Sequence, residues 1–176
     1  MPLELAAALK LLLPVAKTVA PVVLTQVKKK LNPTELQKAL EVGIQEAQTR
    51  EAALPELEQL FLKSPPEEIR GFIEDVFKHG IAVDELRRPL NDEGIPRVVY
   101  LAEAFKQVAE GHPKIAPQES RIELWLDAFA RAYFEKTDTY LKYQIARDVY
   151  LKQLEQRFEE IRFGGIDIEG QEAERS

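Results

Sequence analysis

The chain has 176 residues, 45% of them hydrophobic and 31% charged, which suits one globular domain and excludes an intrinsically disordered chain. It contains no cysteine, which excludes disulfides, thiolate nucleophiles and cysteine metal sites and favours a reducing cytoplasm. The net charge is −6, although residues 1–31 alone carry +4, so the rest of the chain is strongly acidic and we expect no nucleic-acid partner.

The first predicted helix covers residues 3–31 and has one narrow polar line. At 100° per residue, the line contains Lys10, Pro14, Lys17, Pro21, Thr25 and Lys28. The apolar residues opposite it are Leu5, Leu9, Leu12, Ala16, Val19, Val23 and Val27. We therefore expect neighbouring elements to cover most sides of this helix, and the two prolines to kink or divide it.

The same segment could be mistaken for a membrane span or a signal peptide. Lys17 interrupts its apolar run, and a central lysine costs about 2.5–3.5 kcal/mol on insertion scales. The chain begins Met1-Pro2-Leu3-Glu4, without the basic start of a secretory signal. The pattern favours a helix of the domain itself.

Two further helices are predicted before residue 80. Asn32-Pro33-Thr34-Glu35 is typical of a helix start, and this helix should run to about Ala53. Its inward face is Leu36, Leu40, Ile44 and Ala47. After a turn, the next helix begins near Pro66 and should end at Gly80. Its apolar face is Ile69, Phe72, Ile73, Val76 and Phe77.

The middle of the chain predicts a short helix over residues 83–87, a loop over 89–96 and a helix over 96–110. The last of these should bury Val98, Val99, Leu101, Ala102, Phe105 and Val108. Gly111-His112-Pro113 ends it. A helix over residues 118–136 follows, with the large apolar residues Ile122, Trp125, Leu126, Phe129 and Tyr133 on one stripe.

Thr137-Asp138-Thr139 is typical of a new helix start, and the following helix should reach about Arg162. Its apolar face is predicted to be Leu141, Ile145, Leu151, Leu154, Phe158 and Ile161. With no convincing strand pattern, the fold class is an all-α bundle of six or seven helices. Two glycines then precede alternating apolar and acidic residues, which favours either a short extended segment or a linker. The predicted domains are therefore residues 1–163 and a tail, 164–176, leading toward a further domain.

No catalytic chemistry is indicated by the sequence. It contains neither a phosphate-binding Gly-Lys-Ser/Thr motif nor a dinucleotide fingerprint, so we predict no cofactor. His79 and His112 both fall at predicted helix ends, without a second ligand at helical spacing, which favours structural roles over metal binding. We predict no catalytic residue, no metal site and no enzyme activity.

Four residues are candidates for contact with a protein partner. Tyr143 and Tyr150 are predicted to share a stripe of their own, and exposed tyrosines commonly anchor partners, although packing within the domain is the alternative. Arg87 and Arg88 could bind an acidic partner, or they could pair with carboxylates of the domain.

Several segments resemble the helical N-terminal region of cyanobacterial NACHT proteins, which are signal-transducing NTPases of the STAND class. The similar segments are Arg88–Pro96, Leu101–Phe105, Ala132–Leu141 and Phe163–Glu172. The resemblance covers roughly residues 60–172. The resemblance implies a non-catalytic module that precedes an NTPase in the parent chain, in a sensor that assembles when triggered.

The first functional hypothesis is therefore a protein-interaction or oligomerisation module of a cytoplasmic NACHT-type NTPase. The alternative is a membrane-perturbing effector in which the basic, apolar helix 3–31 leaves the bundle and enters an anionic bilayer. An enzyme of unrecognised type is the third hypothesis, and it would require converging polar side chains in a deep pocket.

Overall fold

The computed structural model describes the backbone of residues 5–175 and the side chains of residues 5–163. It contains six α-helices: α1 (Leu5–Val23), α2 (Pro33–Ala52), α3 (Pro66–Lys78), α4 (Gly80–Arg87), α5 (Val98–Glu110) and α6 (Glu119–Arg175). Two short 3₁₀ turns, Glu56–Glu58 and Arg88–Asn91, precede α3 and follow α4. The described backbone has no strand, so the predicted all-α class is confirmed.

The chain divides into two units, the first running up to Tyr140 and the second beginning at Leu141. The first unit holds α1 to α5 and the beginning of α6, and the second holds the remainder of α6. Within the first unit, α1 packs against α2, α3 and α4, and α5 packs against α3 and α4.

Helix α1 supplies a large part of the core of the first unit. Its buried residues are Ala8, Leu12, Val15, Ala16, Val19, Ala20 and Val23. Every member of the predicted polar line is exposed, so the orientation of this helix follows from its sequence. The prolines lie on the exposed side, where a missing hydrogen bond is tolerated, and they do not divide the helix. It ends at Val23 rather than near residue 31, and Gln26 just beyond it has a left-handed backbone with φ 58°.

The predicted start of α2 is confirmed. The side chain of Asn32 accepts a hydrogen bond of 2.9 Å from the backbone N–H of Thr34, and Pro33 occupies the first turn. The predicted inward face of α2, Leu36, Leu40, Ile44 and Ala47, is buried. The predicted face of α3 is likewise buried.

Helix α3 ends at Lys78, close to the predicted end at Gly80, but Gly80 is also the first residue of α4, which begins earlier than predicted. His79 both ends α3 and caps α4, where its Nδ1 accepts a hydrogen bond of 3.2 Å from the N–H of Ile81. In α5, Leu101, Ala102 and Phe105 are buried as predicted. The predicted burial of Val99 is wrong, since 64% of this residue is exposed.

Stacked aromatic rings of α3 and α6 fill the centre of the first unit. The ring of Phe77 lies 4.6 Å from that of Phe129, between centroids, and Phe129 lies 6.2 Å from Trp125 and 5.7 Å from Tyr133. These stacked pairs add about 0.5–1.5 kcal/mol each to the gain from burial. The predicted apolar stripe of residues 118–136 is therefore confirmed as core.

Helix α6 differs from the prediction in two places. Thr137 lies inside the helix and is fully buried, so Thr137-Asp138-Thr139 begins no new helix. The backbone remains helical to Arg175, where a short extended segment was expected. The division of the chain into a domain ending at residue 163 and a linker toward a further domain stays a prediction.

Candidate interaction surface

The two tyrosines predicted to contact a partner are exposed on α6 in the second unit. Tyr143 is 66% exposed and Tyr150 is 59% exposed. They are seven residues apart, which is close to two helical turns, so both side chains leave the same side of the helix.

Apolar residues continue this side of α6 toward residue 163. The predicted face had been expected to be buried, but Leu151, Phe158 and Ile161 are exposed, the last two to 72%. Leu154 is half-buried, and Leu141 is the buried member of the predicted face. Among the residues of the second unit whose side chains are described, 141–163, an exposed and largely apolar helix side is therefore the main surface feature.

The tyrosines do not form a stripe separate from these apolar residues, as the sequence had suggested. At about 100° per residue, Tyr150 and Leu154 are only about 40° apart around the helix. We call the combined surface the α6 stripe, defined as Tyr143, Tyr150, Leu151, Leu154, Phe158 and Ile161. Exposed charged residues accompany it on α6, namely Arg147, Asp148, Glu155, Arg157 and Arg162.

The first predicted arginine, Arg87, is used within the fold of the first unit. Its guanidinium donates hydrogen bonds to the carbonyl oxygens of Val22 and Val23, at 3.1 and 3.2 Å, and to Thr25 Oγ1 at 2.6 Å. Only 16% of its side chain is exposed. A cation at the C-terminus of α1 donates hydrogen bonds to carbonyl groups at the helix end and interacts favourably with the helix dipole.

The second predicted arginine, Arg88, holds the loop that follows it. Its guanidinium donates to the carbonyl oxygens of Glu93 and Ile95, at 2.6 and 3.1 Å, and lies 3.4 Å from the buried carboxylate of Glu85. Glu85 also accepts hydrogen bonds from the backbone and side chain of Arg97. Both arginines therefore contact groups of their own domain. The sequence had left open pairing with its carboxylates, and such pairs are seen for Arg88 with Glu85, at 3.4 Å, and for Arg87 with Asp84, at 3.5 Å.

The loop over residues 88–96 also fastens the segment that follows α1. The backbone N–H of Lys28 donates to Asn91 Oδ1 at 2.8 Å, and the N–H of Lys29 donates to the carbonyl of Leu90 at 3.0 Å. Gly94 has φ +93°, a conformation that side chains disfavour. The Arg-Pro-Leu-Asn-Asp-Glu-Gly-Ile-Pro motif is thus explained by structural contacts.

The two histidines differ in their surroundings. His112 Nε2 lies 2.8 Å from Asp75 Oδ2, a contact between α3 and the end of α5 that periodicity could not reveal. Within the described residues, no group of three His, Cys, Asp or Glu side chains is arranged to hold a metal ion.

A small cavity of about 70 Å³ lies in the first unit beside α1, α2 and α3. Its buried carboxylate, Glu51, accepts hydrogen bonds from the N–H of Leu60 and from the guanidinium of Arg121. The charged group is thus already paired, and it fixes the turn before α3 against the start of α6.

Among the described residues, one helix is apolar and long enough to cross a membrane by length and composition, Leu5–Val23. Seven of its residues are buried against the rest of the first unit. A core helix of a globular domain passes the same length and composition test, so the observation does not favour the membrane alternative.

The chain matches the model of a known protein family. The model of NACHT N-terminal Helical domain 2 matches residues 7–168, which is most of the chain and includes the first three similar segments and the fourth as far as residue 168. No curated protein and no solved structure matches it significantly. The chain therefore belongs to the family of NACHT N-terminal helical domains 2, which accompany the NTPase domain and are distinct from it.

Proposed function

We propose that this domain is a non-catalytic interaction module of a cytoplasmic NACHT-type NTPase, and that it contacts its partner through the α6 stripe. The single observation that carries the proposal is the exposure of five apolar or aromatic residues, with the half-buried Leu154 among them, along one side of a helix. Charged residues normally dominate an exposed helix surface, whereas tyrosine and large apolar residues are enriched where proteins meet.

The family supports this role in a general way. A NACHT N-terminal helical domain implies a parent chain that carries the NTPase. A module beside an NTPase affects signalling by binding something, either another part of its own assembly or a separate protein. Tyr143 and Tyr150 suit such contact, because tyrosine offers a large rigid ring and a hydroxyl group for little loss of conformational entropy.

The buried charges agree with a non-catalytic role. Glu51 and Glu85 are buried, and each is paired with an arginine of the first unit. A general acid or base requires a carboxylate that can exchange a proton with a substrate, and these two carboxylates are committed to holding turns and helix ends.

The test is the double substitution of Tyr143 and Tyr150 by serine. We expect at least a tenfold loss of affinity for the parent chain supplied in trans, measured by titration with a labelled domain, because two aromatic anchors are removed. The matched control replaces Ile145 and Val149 by serine, since both are exposed on another side of the same helix. Equal affinity of the wild-type and the tyrosine variant would overturn the proposal.

A further inference from the structure

The order of residues along the α6 stripe indicates what kind of surface covers it. Four of its members are separated by three, four and three residues: Leu151, Leu154, Phe158 and Ile161. This is the a and d spacing by which two helices pack side by side. Resting on the interaction role proposed above, we propose that the partner is a second copy of this chain, with the two α6 helices paired antiparallel.

Both orientations of a helix pair would bury the same apolar residues, so charge decides between them. In a parallel pair in register, Arg147 occupies a d position and meets Arg147 of the second copy in the seam. Arg157 also lies beside Arg162 of the second copy, on both sides of the pair. Like charges at these positions oppose the parallel arrangement.

An antiparallel pair removes these conflicts while keeping four apolar layers. In the antiparallel register that keeps these four layers, Leu151 faces Ile161 of the second copy and Leu154 faces Phe158 of the second copy. Asp148 then lies beside Arg162 of the second copy, twice by symmetry. Near the axis the two Glu155 side chains approach each other on one rim and the two Arg157 side chains on the other. The antiparallel rim thus has two like-charge and two opposite-charge pairs. The parallel rim has two like-charge pairs, and its seam has a further one.

The charges along the helix favour the same orientation. In the register above, residues 150–157 of one helix lie beside residues 155–162 of the other. The first segment carries two cations and one anion, and the second carries three anions and two cations. The net charges of the facing segments are therefore +1 and −1. Opposite potentials across an interface guide association and fix its register.

The size of the surface indicates a reversible dimer. Four apolar layers with two flanking tyrosines fall at or below the lower limit of about 1,200 Å² for specific stable interfaces. Such a pair forms mainly when copies are brought together, for example by assembly of the parent NTPase, which raises their effective concentration.

The absence of cysteine allows a direct test of orientation. Leu151→Cys and Ile161→Cys variants of the whole chain are oxidised separately and as a mixture. Ten residues of helix correspond to about 15 Å, so in an antiparallel pair neither variant can form a disulfide with its own kind. We expect a disulfide dimer only when the two variants are mixed. No disulfide dimer should form when Val149→Cys is mixed with either of them instead.

Sedimentation of the cysteine-free chain over a concentration series completes the test. We expect a monomer–dimer equilibrium whose dissociation constant rises at least tenfold in Phe158→Ser, an exposed position at which the fold is retained. Disulfides within each cysteine variant alone would overturn the antiparallel orientation. If the wild-type chain stays monomeric but the tyrosine variant binds the parent chain more weakly than wild type, self-pairing is overturned and the proposed function stands. If the wild-type chain stays monomeric and the tyrosine variant binds the parent chain as tightly as wild type, both proposals are overturned.

Discussion

The ring of Phe129 on α6 lies directly against the backbone of Gly43 on α2. A Cβ atom added at Gly43 would stand 2.7 Å from Cδ2 and 3.0 Å from the carbonyl oxygen of Phe129, closer than real Cβ contacts allow. The absence of a side chain at Gly43 therefore allows α2 and α6 to pack closely beside the stacked aromatic rings, and a side chain here would force the two helices apart.

The first prediction is that Gly43→Ala destabilises the domain although alanine is the better helix former. We expect the free energy of unfolding to fall by about 1–3 kcal/mol, the usual effect of overpacking a core. The matched control is Gly71→Ala on α3, where a Cβ meets nothing within 4 Å. That variant should gain about 0.5–1 kcal/mol from helix propensity. Urea unfolding measures both, and equal shifts would contradict the close approach.

The second prediction concerns Arg87, which was a candidate for partner binding. Because its guanidinium holds carbonyl groups at the end of α1, Arg87→Gln should lower the free energy of unfolding by about 1–3 kcal/mol. Arg50→Gln, which removes only an exposed pair with Glu46, should change it by less than about 0.5 kcal/mol. If Arg87→Gln weakened binding of the parent chain without changing stability, the structural role would be wrong.

The third prediction is an alkaline pH dependence due to Tyr133. Burial raises the pKa of Tyr133. The unfolded chain releases this proton above about pH 10 while the folded chain keeps it, so folding stability falls as pH rises beyond that value. The loss attributable to this group should approach about 1.4 kcal/mol per pH unit.

Tyr133→Phe isolates this effect. The phenol donates a hydrogen bond of 2.6 Å to the carbonyl of Leu86, so the variant should lose about 1–3 kcal/mol at neutral pH. Above pH 10 the difference from wild type should shrink, as measured by chemical unfolding at a series of pH values. A constant difference across the series would show that the buried phenol does not control the alkaline loss.

The fourth prediction addresses the membrane alternative. Val19 is fully buried and Lys17 is exposed on the same helix. Val19→Ala should lower the free energy of unfolding by about 1–3 kcal/mol, whereas Lys17→Ala should leave it within about 0.5 kcal/mol. We expect the native chain not to co-sediment with anionic vesicles. Vesicle binding that Lys17→Ala abolishes would instead support insertion of α1.

Much of the first unit could be predicted from the sequence because its helices are amphipathic in a simple way. The polar line from Lys10 to Lys28 and the apolar stripe from Ile122 to Tyr133 fixed which side of each helix faces inward. Asn32 and Pro33 fixed where α2 begins, since each residue suits the position for a local reason. These features depend on neighbours a few residues away, which the sequence displays directly.

Helix ends were predicted less well where a residue suits two positions. Gly80 commonly ends a helix, but here His79 serves as the junction between α3 and α4 and leaves Gly80 in the first turn. Threonine commonly caps a helix, but Thr137 lies four residues after Tyr133 and four before Leu141, on the side of α6 where all three are buried. Tertiary packing overrides the local preference in both cases.

Spacing indicates which residues share a helix side, but it cannot indicate whether another element covers that side. For this reason Leu151 and Phe158 were expected in the core and are exposed, and Tyr143 and Tyr150 were separated from a surface they share. The same limit applies to Arg87 and His112, whose contacts join residues more than thirty positions apart. Long-range partners of single polar groups leave no periodic signal.

The burial of Trp125 has a practical consequence for studying how the two units unfold. It is the one tryptophan of the chain, it belongs to the first unit, and its indole Nε1 donates a hydrogen bond of 2.7 Å to Gln48 Oε1. Its fluorescence therefore reports loss of structure up to Tyr140, whereas far-ultraviolet circular dichroism records every helical residue. Unfolding curves that coincide for both signals would mean one cooperative transition, and an earlier dichroism change would mean that the second unit melts first.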